Sequence, residues 1–399
     1  MNRMKRKWSQ LDGAGEELGG ADVYLNGETE DLISNGRSSL DRLHPWADPQ
    51  NSVNRVLEHI KSGDDINDVF LDDSINKKFV GFYNDITEEC GPEDKQHSWA
   101  VLEKPENVIM YGPYYPNYNN GQHSEDIIIK QTQELLESED VSEDWNVYLF
   151  TLNSPCLART IEPCMLNLMR KAFEWYTHHG VRTSICYRKC WGFKGTKENV
   201  FKDVSYAQFE LLFGSHDYEN YLNRIKKSPG NNLVPLCEIM FLTIKRWLSQ
   251  ENRNFKFHLD NTTSQRGRKT YFKKVCVISA SGLQDESEVL TQEITTMLEA
   301  VHPSVLDEKE CLEEYLEKGK AFALDYSFNP EICDTDCTKL RLSFEQCWGD
   351  MVQDKYADLL RERLIENFNR GVVQLFIKDA TALTKDYIQI GQIKFPDQA

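Results

Sequence analysis

Four residues in this sequence have the types and spacing to do chemistry together: His123, Glu125, Cys156 and Cys164. One imidazole and two thiolates make a donor set for Zn²⁺ that leaves a fourth position open. A Zn²⁺ ion held this way lowers the pKa of a bound water to about 7. A carboxylate beside it can then shuttle protons between that water and a leaving group. His, a Glu two residues on, then Pro-Cys and a second Cys is the pattern of zinc enzymes that hydrolyse the exocyclic amine of a nucleobase. His123-Ser124-Glu125, Pro155-Cys156 and Cys164 follow it in that order. His-x-Glu or Pro-Cys alone would carry little weight; their order, with a helix and a strand between them, carries more. The alternative is a surface His and Glu at a helix start, with two buried structural cysteines.

These side chains need particular elements to hold them. Ser98 to Leu102 and Val108 to Tyr111 are β-prone runs separated by Pro105-Glu106-Asn107, a hairpin signal. From His123 to Leu136, Ile127, Ile128, Leu135 and Leu136 give a helix an apolar face. Val147 to Leu152 reads as a strand buried on both faces, and a helix from Pro163 to His178 stops at Gly180. Arg182 to Tyr187 is a further strand and Ser205 to Phe213 a further helix, which together give a mixed sheet covered by helices. His123 and the two cysteines then stand at helix starts, where the partial positive charge favours thiolate over thiol.

His123-Ser124-Glu125 with Thr151-Leu152-Asn153-Ser154-Pro155-Cys156 resembles the motif of the AID/APOBEC-like polynucleotide cytidine deaminases of animals. The resemblance covers roughly residues 75 to 215. It implies an α/β, cytidine-deaminase-like fold with a mixed five-stranded sheet flanked by helices, Zn²⁺ as cofactor, and single-stranded DNA or RNA as partner, often in innate antiviral defence. His123, Cys156 and Cys164 would be the metal ligands and Glu125 the catalytic residue. Ser154, Tyr187, Arg188 and Trp191 would meet substrate, the last three on a loop that interleaves aromatic and basic groups suited to stacking bases and neutralising phosphates. Two departures stand out. The family usually places two to four residues between its cysteines, whereas Leu157 to Pro163 makes seven here, and Asn153 stands where an aromatic residue is common. Either the loop bulges and Cys164 still reaches the metal, or the site is lost.

A second set of segments follows the first in order. Gln284 to Glu288 opens a helix from Val289 to Ala300, and Ala323 to Asn329 before Pro330 mimics the strand before Ser154-Pro155. Tyr356 to Arg370, Gly371 and a strand from Val372 to Ile377 echo Met165 to His179, Gly180 and Arg182 to Tyr187. This pattern predicts a tandem duplication: a leader over 1–50 without order, a deaminase domain over 51–228, and an inactive second domain over 229–399. Glu286 stands where the imidazole would be, although Cys333 and Cys337 keep a trace of a ligand pair. Cys186 and Cys190 read as buried thiols rather than a second metal pair.

Composition bounds the rest. The net charge of −18 is unevenly spread: Val181 to Ala280 holds 18 Lys and Arg against 8 Asp and Glu, a surplus of +10. That is either an ordinary solvated surface or an electrostatic track for nucleic acid. No apolar run suits a membrane span, and Met1 to Gln10 lacks the apolar stretch of a secretory signal. With eleven cysteines in no evident disulfide framework, the expectation is thiols in a reducing compartment, the cytoplasm or nucleus. Lys5-Arg6-Lys7 is a weak nuclear address, and assembly with further copies of the chain is left open. Three functions compete: cytosine deamination in single-stranded nucleic acid, deamination of free cytidine or deoxycytidylate, and a silent deaminase fold that binds nucleic acid or another protein.

Overall fold

The computed structural model describes residues 40–395, apart from 63–65, 87–88, 91–94, 139–143, 196–198, 230, 251–254, 260–270, 272–283 and 306–308. The Lys5-Arg6-Lys7 run lies outside these residues. Helices α1 (Pro49–Ser62) and α2 (Asp73–Ile86) precede the hairpin of β1 (Ser98–Glu103) and β2 (Val108–Tyr114). Then come α3 (Ser124–Glu137), β3 (Asn146–Asn153), α4 (Cys164–His179) and β4 (Arg182–Lys189), each close to its sequence expectation. The last strand, β5 (Ile388–Gln392), lies near the end of the chain.

The strands form one sheet in the order β2-β1-β3-β4-β5. β1 runs antiparallel to β2 and β3, whereas β3, β4 and β5 run parallel to one another. Six consecutive residues of β3, Val147 to Leu152, are buried, as a central strand covered on both faces requires. Its alternation sorts the core. Tyr148, Phe150 and Leu152 join Trp99, Val101 and Cys186 on the face covered by Phe79 and Ile86 of α2. Thr151 and Ser98 face the other way, toward the start of α3.

The chain divides into two compact units, one holding residues up to Val200 together with Ile365 onward, the other Phe201–Leu364. The second unit carries α5 (Tyr206–Phe213), α6 (Tyr218–Lys226), α7 (Cys237–Gln250), α8 (Gln284–Val305), α9 (Leu312–Asp325) and the first part of the 51-residue α10 (Asp334–Thr384). Its core is aromatic, with Phe255, Phe257, Tyr315 and Tyr356 in ring contact.

Two expected strands fold otherwise, and with them goes the basis of the repeat. Ala323 ends up in the last turn of α9, and Val372 to Ile377 lies inside α10. The buried residues there, Val372, Val373, Phe376, Ile377 and Ala380, follow a helical period rather than alternation. Gly371 is not a helix stop; a side chain there would come within 3.0 Å of Ile66 and 3.3 Å of Val56, so it is small because packing is close. Among the described residues there is one sheet, and its fifth strand comes from 388–392 instead of from a second copy.

Part of the expected leader is folded, and the rest of it, residues 1–39, lies outside the described residues. A 3₁₀ turn at His44–Ala47 precedes α1, with Leu43 and Trp46 fully buried. Trp46 packs edge-on against Phe376 and donates its indole N–H to Asp379 at 3.0 Å. Such an anchor fixes the backbone before residue 50.

Candidate metal centre

The imidazole is set by a helix start. His123 is the N-cap of α3, in extended conformation, and Asp126 three residues on accepts its backbone N–H at 2.9 Å. That bond satisfies one of the orphan donors of the first turn and fixes where the ring leaves the chain. Cys156 sits just past β3, and Cys164 is the first residue of α4. Between them the chain leaves and returns, closing where the Met165 N–H donates to the Cys156 carbonyl at 3.1 Å. The seven-residue gap therefore does not carry Cys164 away.

The His123 Nδ1 lies 3.3 Å from the Cys164 Sγ and 3.7 Å from the Cys156 Sγ. The three donor atoms lie within 4.8 Å of one another, and no other such cluster occurs among the described residues. A tetrahedral ion bonded at about 2.0–2.1 Å to nitrogen and about 2.3 Å to sulfur would set its N···S edges near about 3.5 Å. One borderline nitrogen and two soft sulfurs at these separations fit Zn²⁺ both in donor type and in size.

Glu125 projects from the first turn of α3 and is 5% exposed. The Ser124 hydroxyl donates to its Oε2 at 3.1 Å and the Thr151 hydroxyl approaches its Oε1 at 3.3 Å. Behind them, Ser98 and Ser124 share a hydrogen bond at 2.7 Å, and the Gln96 amide donates to Thr151 at 3.0 Å. Burial, reinforced by the Cys156 charge, pushes the Glu125 carboxyl up to about 7. The neighbouring Cys164 thiol and then His123 bring Cys156 down to about 5 against its own burial. Cys164 is pushed up by the same contact and by its burial. A hydrogen bond with Cys156 raises His123.

A family model described as Secreted Novel AID/APOBEC-like Deaminase 3 matches residues 12–390. The chain belongs to that family. Comparison with curated proteins and with solved structures gave no match. The AID/APOBEC resemblance read from His123 to Cys156 holds, but the expected cytoplasmic or nuclear location does not, because this deaminase family is described as secreted. The basic start of the chain and its unpaired cysteines were poor guides to compartment. Cysteines 90, 156, 164, 186, 190, 237, 311, 333, 337 and 347 are all free thiols in the fold, whichever compartment the family occupies. No described helix is long and apolar enough to cross a membrane.

The remaining residues singled out in the sequence take different places in this fold. Ser154 is buried, its N–H donating to the Lys189 carbonyl at 2.7 Å and its hydroxyl accepting the Trp191 N–H at 2.9 Å. It thus splices the Cys156 loop to the loop after β4. Trp191 is half-buried in that loop. Tyr187 shares the Thr151 face but is wholly buried, its hydroxyl taking a hydrogen bond from Gln374 at 3.2 Å, so it offers no ring face for a base to stack on. Arg188 turns to the opposite face, over the Phe395 ring and 3.4 Å from the Tyr83 hydroxyl. Cys186 lies in the core, and Cys190 receives the Gln374 amide at 3.6 Å. Cys333 is exposed, with its thiol donating to Asp336 at 3.3 Å, whereas Cys337 donates to the Ile332 carbonyl.

Two groups at the site escaped sequence reading. The first is the pair Asp126 and Arg159; an Arg within the cysteine gap and an acid at the third helical position were visible signals. The second is Tyr118, 71% exposed at the tip of the loop before His123. The backbone pair Asn117 and Gln122 pins that tip, with N···O separations of 2.8 and 3.1 Å. Partial burial, and then the charge of Glu125, raise the Tyr118 hydroxyl.

Proposed function

We propose that this protein is a zinc-dependent hydrolytic deaminase that converts cytosine to uracil in single-stranded DNA or RNA. The observation that carries the reading is the His123, Cys156 and Cys164 triangle beside a buried, hydroxyl-bonded Glu125. His123, Cys156 and Cys164 would hold Zn²⁺, which when bound acidifies a water enough to make it a nucleophile at neutral pH.

The chain's own residues supply the proton traffic. Hydrolysis replaces the C4 amine with the oxygen of water and releases ammonia, so both protons leave the water, one ending on ring N3 and the other on the departing nitrogen. Glu125, with a carboxyl near neutrality, can accept and return a proton without a large driving-force penalty in either direction. Ser124 and Thr151 hold its two oxygens, which fixes the line along which the proton moves. Burial of Glu125 and of both thiols keeps bulk water from competing for it.

A polynucleotide substrate is supported by the family, by the exposed Tyr118 and half-buried Trp191, and by the +10 surplus of Val181 to Ala280. Aromatic rings at a site mouth stack bases without regard to sequence, and basic residues neutralise phosphates.

The test uses the zinc-loaded full chain and Glu125→Gln, each incubated with single-stranded DNA, single-stranded RNA and free cytidine. Uracil formed in polynucleotide and abolished in the variant, with zinc content retained, is the expected result. Turnover of cytidine alone would move the substrate to free nucleosides, and no turnover of any cytosine substrate would overturn the enzymatic reading. Affinity for an unreactive oligonucleotide should also fall steeply between about 50 and 200 mM salt.

A further inference from the structure

The loop that separates the two thiols is fastened to the helix that carries the imidazole. Arg159, within the seven-residue gap, sends Nη1 and Nη2 to Oδ2 and Oδ1 of Asp126, both at 2.8 Å. Its Nε donates to the Glu162 carbonyl at 2.6 Å, so every guanidinium nitrogen is engaged. The Arg159 side chain is 8% exposed and the Asp126 side chain 20%. Asp126 Oδ2 also accepts the backbone N–H of His123. A continuous run of bonds therefore leads from His123 through Asp126 and Arg159 to Glu162, two residues before Cys164.

A gap of this length has many conformations to lose, and a ligand at its far end would be ordered only by the ion itself. A planar fork paired with a carboxylate fixes both distance and orientation, which a lysine at the same place would not.

We propose that Arg159 and Asp126 are positioning residues for the metal centre, a clamp that sets Cys164 and His123 at ligating separation before the ion arrives. The proposal rests on the zinc reading of the triangle. It explains how a gap of seven residues can still present both cysteines to one ion: the intervening residues are tied back to the helix N-terminus from which His123 projects.

The experiment compares the full chain with Arg159→Met, Arg159→Lys and Asp126→Asn. Three quantities are read: zinc affinity by competition with a chelating dye, the visible spectrum of the Co²⁺ form, and the thermal midpoints of metal-free and zinc-loaded protein. Loss of an outer-shell partner typically weakens metal binding by about 10–100-fold, and that range is expected for Arg159→Met and Asp126→Asn. Arg159→Lys, which keeps the charge but not the fork, should fall with them. The Co²⁺ form of each variant at saturation should still show thiolate bands. Asp126→Asn keeps an acceptor for the His123 N–H and serves if Arg159→Met does not fold. If both midpoints drop equally in a variant whose zinc affinity is unchanged, the pair is merely structural and the proposal is overturned. If the unaltered chain takes up no zinc, the metal reading itself fails and the clamp falls with it.

Discussion

Asn369 holds Phe193: its side-chain oxygen accepts the Phe193 backbone N–H, and its amide donates to the Ile365 carbonyl at 2.7 Å. Both groups are buried, so one side chain of α10 anchors the loop after β4 where no water could replace it. The adjoining Gly192 has φ +56°, and its carbonyl accepts the Leu157 N–H at 3.2 Å, next to Cys156. The loop is thus gripped between Asn369 on one side and the Cys156 segment on the other.

Gly192 and Asn369 should therefore be strongly non-additive. A Cβ at Gly192 would meet the Asn369 Oδ1 at 2.6 Å in a backbone conformation L residues avoid. Gly192→Ala should cost about 2–4 kcal/mol, of which the left-handed backbone accounts for about 1–2 kcal/mol. Asn369→Ala should cost about 1–3 kcal/mol by leaving the Phe193 N–H buried and unpaired. In the double variant the clash is gone, so urea denaturation should give a total below the sum of the two single changes.

Thr151 offers a second test, directed at the carboxylate. Its hydroxyl lies 3.3 Å from Glu125 Oε1 and 2.9 Å from the Asn153 carbonyl, while it accepts from Gln96. Thr151→Val keeps the shape of the side chain and removes only the hydroxyl. Hydrogen bonds to charged groups contribute about 1.5–3 kcal/mol, and this one is long and shares its single proton with the nearer Asn153 carbonyl, so a loss of at most about tenfold in kcat is expected. Zinc content should be unchanged, and the acid limb of the pH–rate profile should move to higher pH, because a carboxylate deprived of a donor holds its proton more tightly.

How much of this was legible in the sequence depends on the range of the interactions. The α3, β3, α4 and β4 elements were readable because caps, turns and apolar periods act over a few residues: Gly180 ends α4 in left-handed conformation, and Ser205 caps α5. His123, Glu125 and the two cysteines were readable because their chemistry dictates their types. β5 was not, although Ile388, Ile390 and Ile393 are all buried, since nothing local says that this segment pairs with Thr183 to Tyr187 some two hundred residues earlier. The Val372 to Ile377 run misled because its β-branched residues outweighed a helical period that only continues to Ala380. Tyr187 looked available for stacking because burial of a tyrosine depends on Gln374, which lies far along the chain.

In the second unit, Gly319 is the residue on which a helix contact turns. It lies within α9, where Ala would ordinarily stabilise by about 1 kcal/mol. Here its Cβ would fall 2.1 Å from the Trp348 ring, whose N–H is held by the Tyr315 carbonyl at 2.8 Å. Overpacking a buried ring costs about 1–3 kcal/mol or more, so Gly319→Ala should lower the thermal midpoint. In a Trp348→Leu background the same change should be neutral or stabilising, which a general intolerance of the helix would not produce.

His97 should make stability fall in mild acid. Its Nδ1 is 2.8 Å from the Lys95 carbonyl, which assigns the proton of the neutral ring to that nitrogen. Its Nε2 is buried with no partner among the described residues, between the rings of Tyr115 and Phe150. A proton added there would be a buried charge without an acceptor, and burial accordingly lowers the pKa from 6.5. Below 6.5 the unfolded chain then binds a proton that the folded chain refuses, so unfolding free energy declines as pH falls from 6.5 toward the folded value and levels off beneath it. Urea midpoints measured between pH 8 and pH 5 should show this decline, and His97→Phe should flatten it while leaving the midpoint at pH 8 little changed. An equal slope in both proteins would assign the decline to other groups.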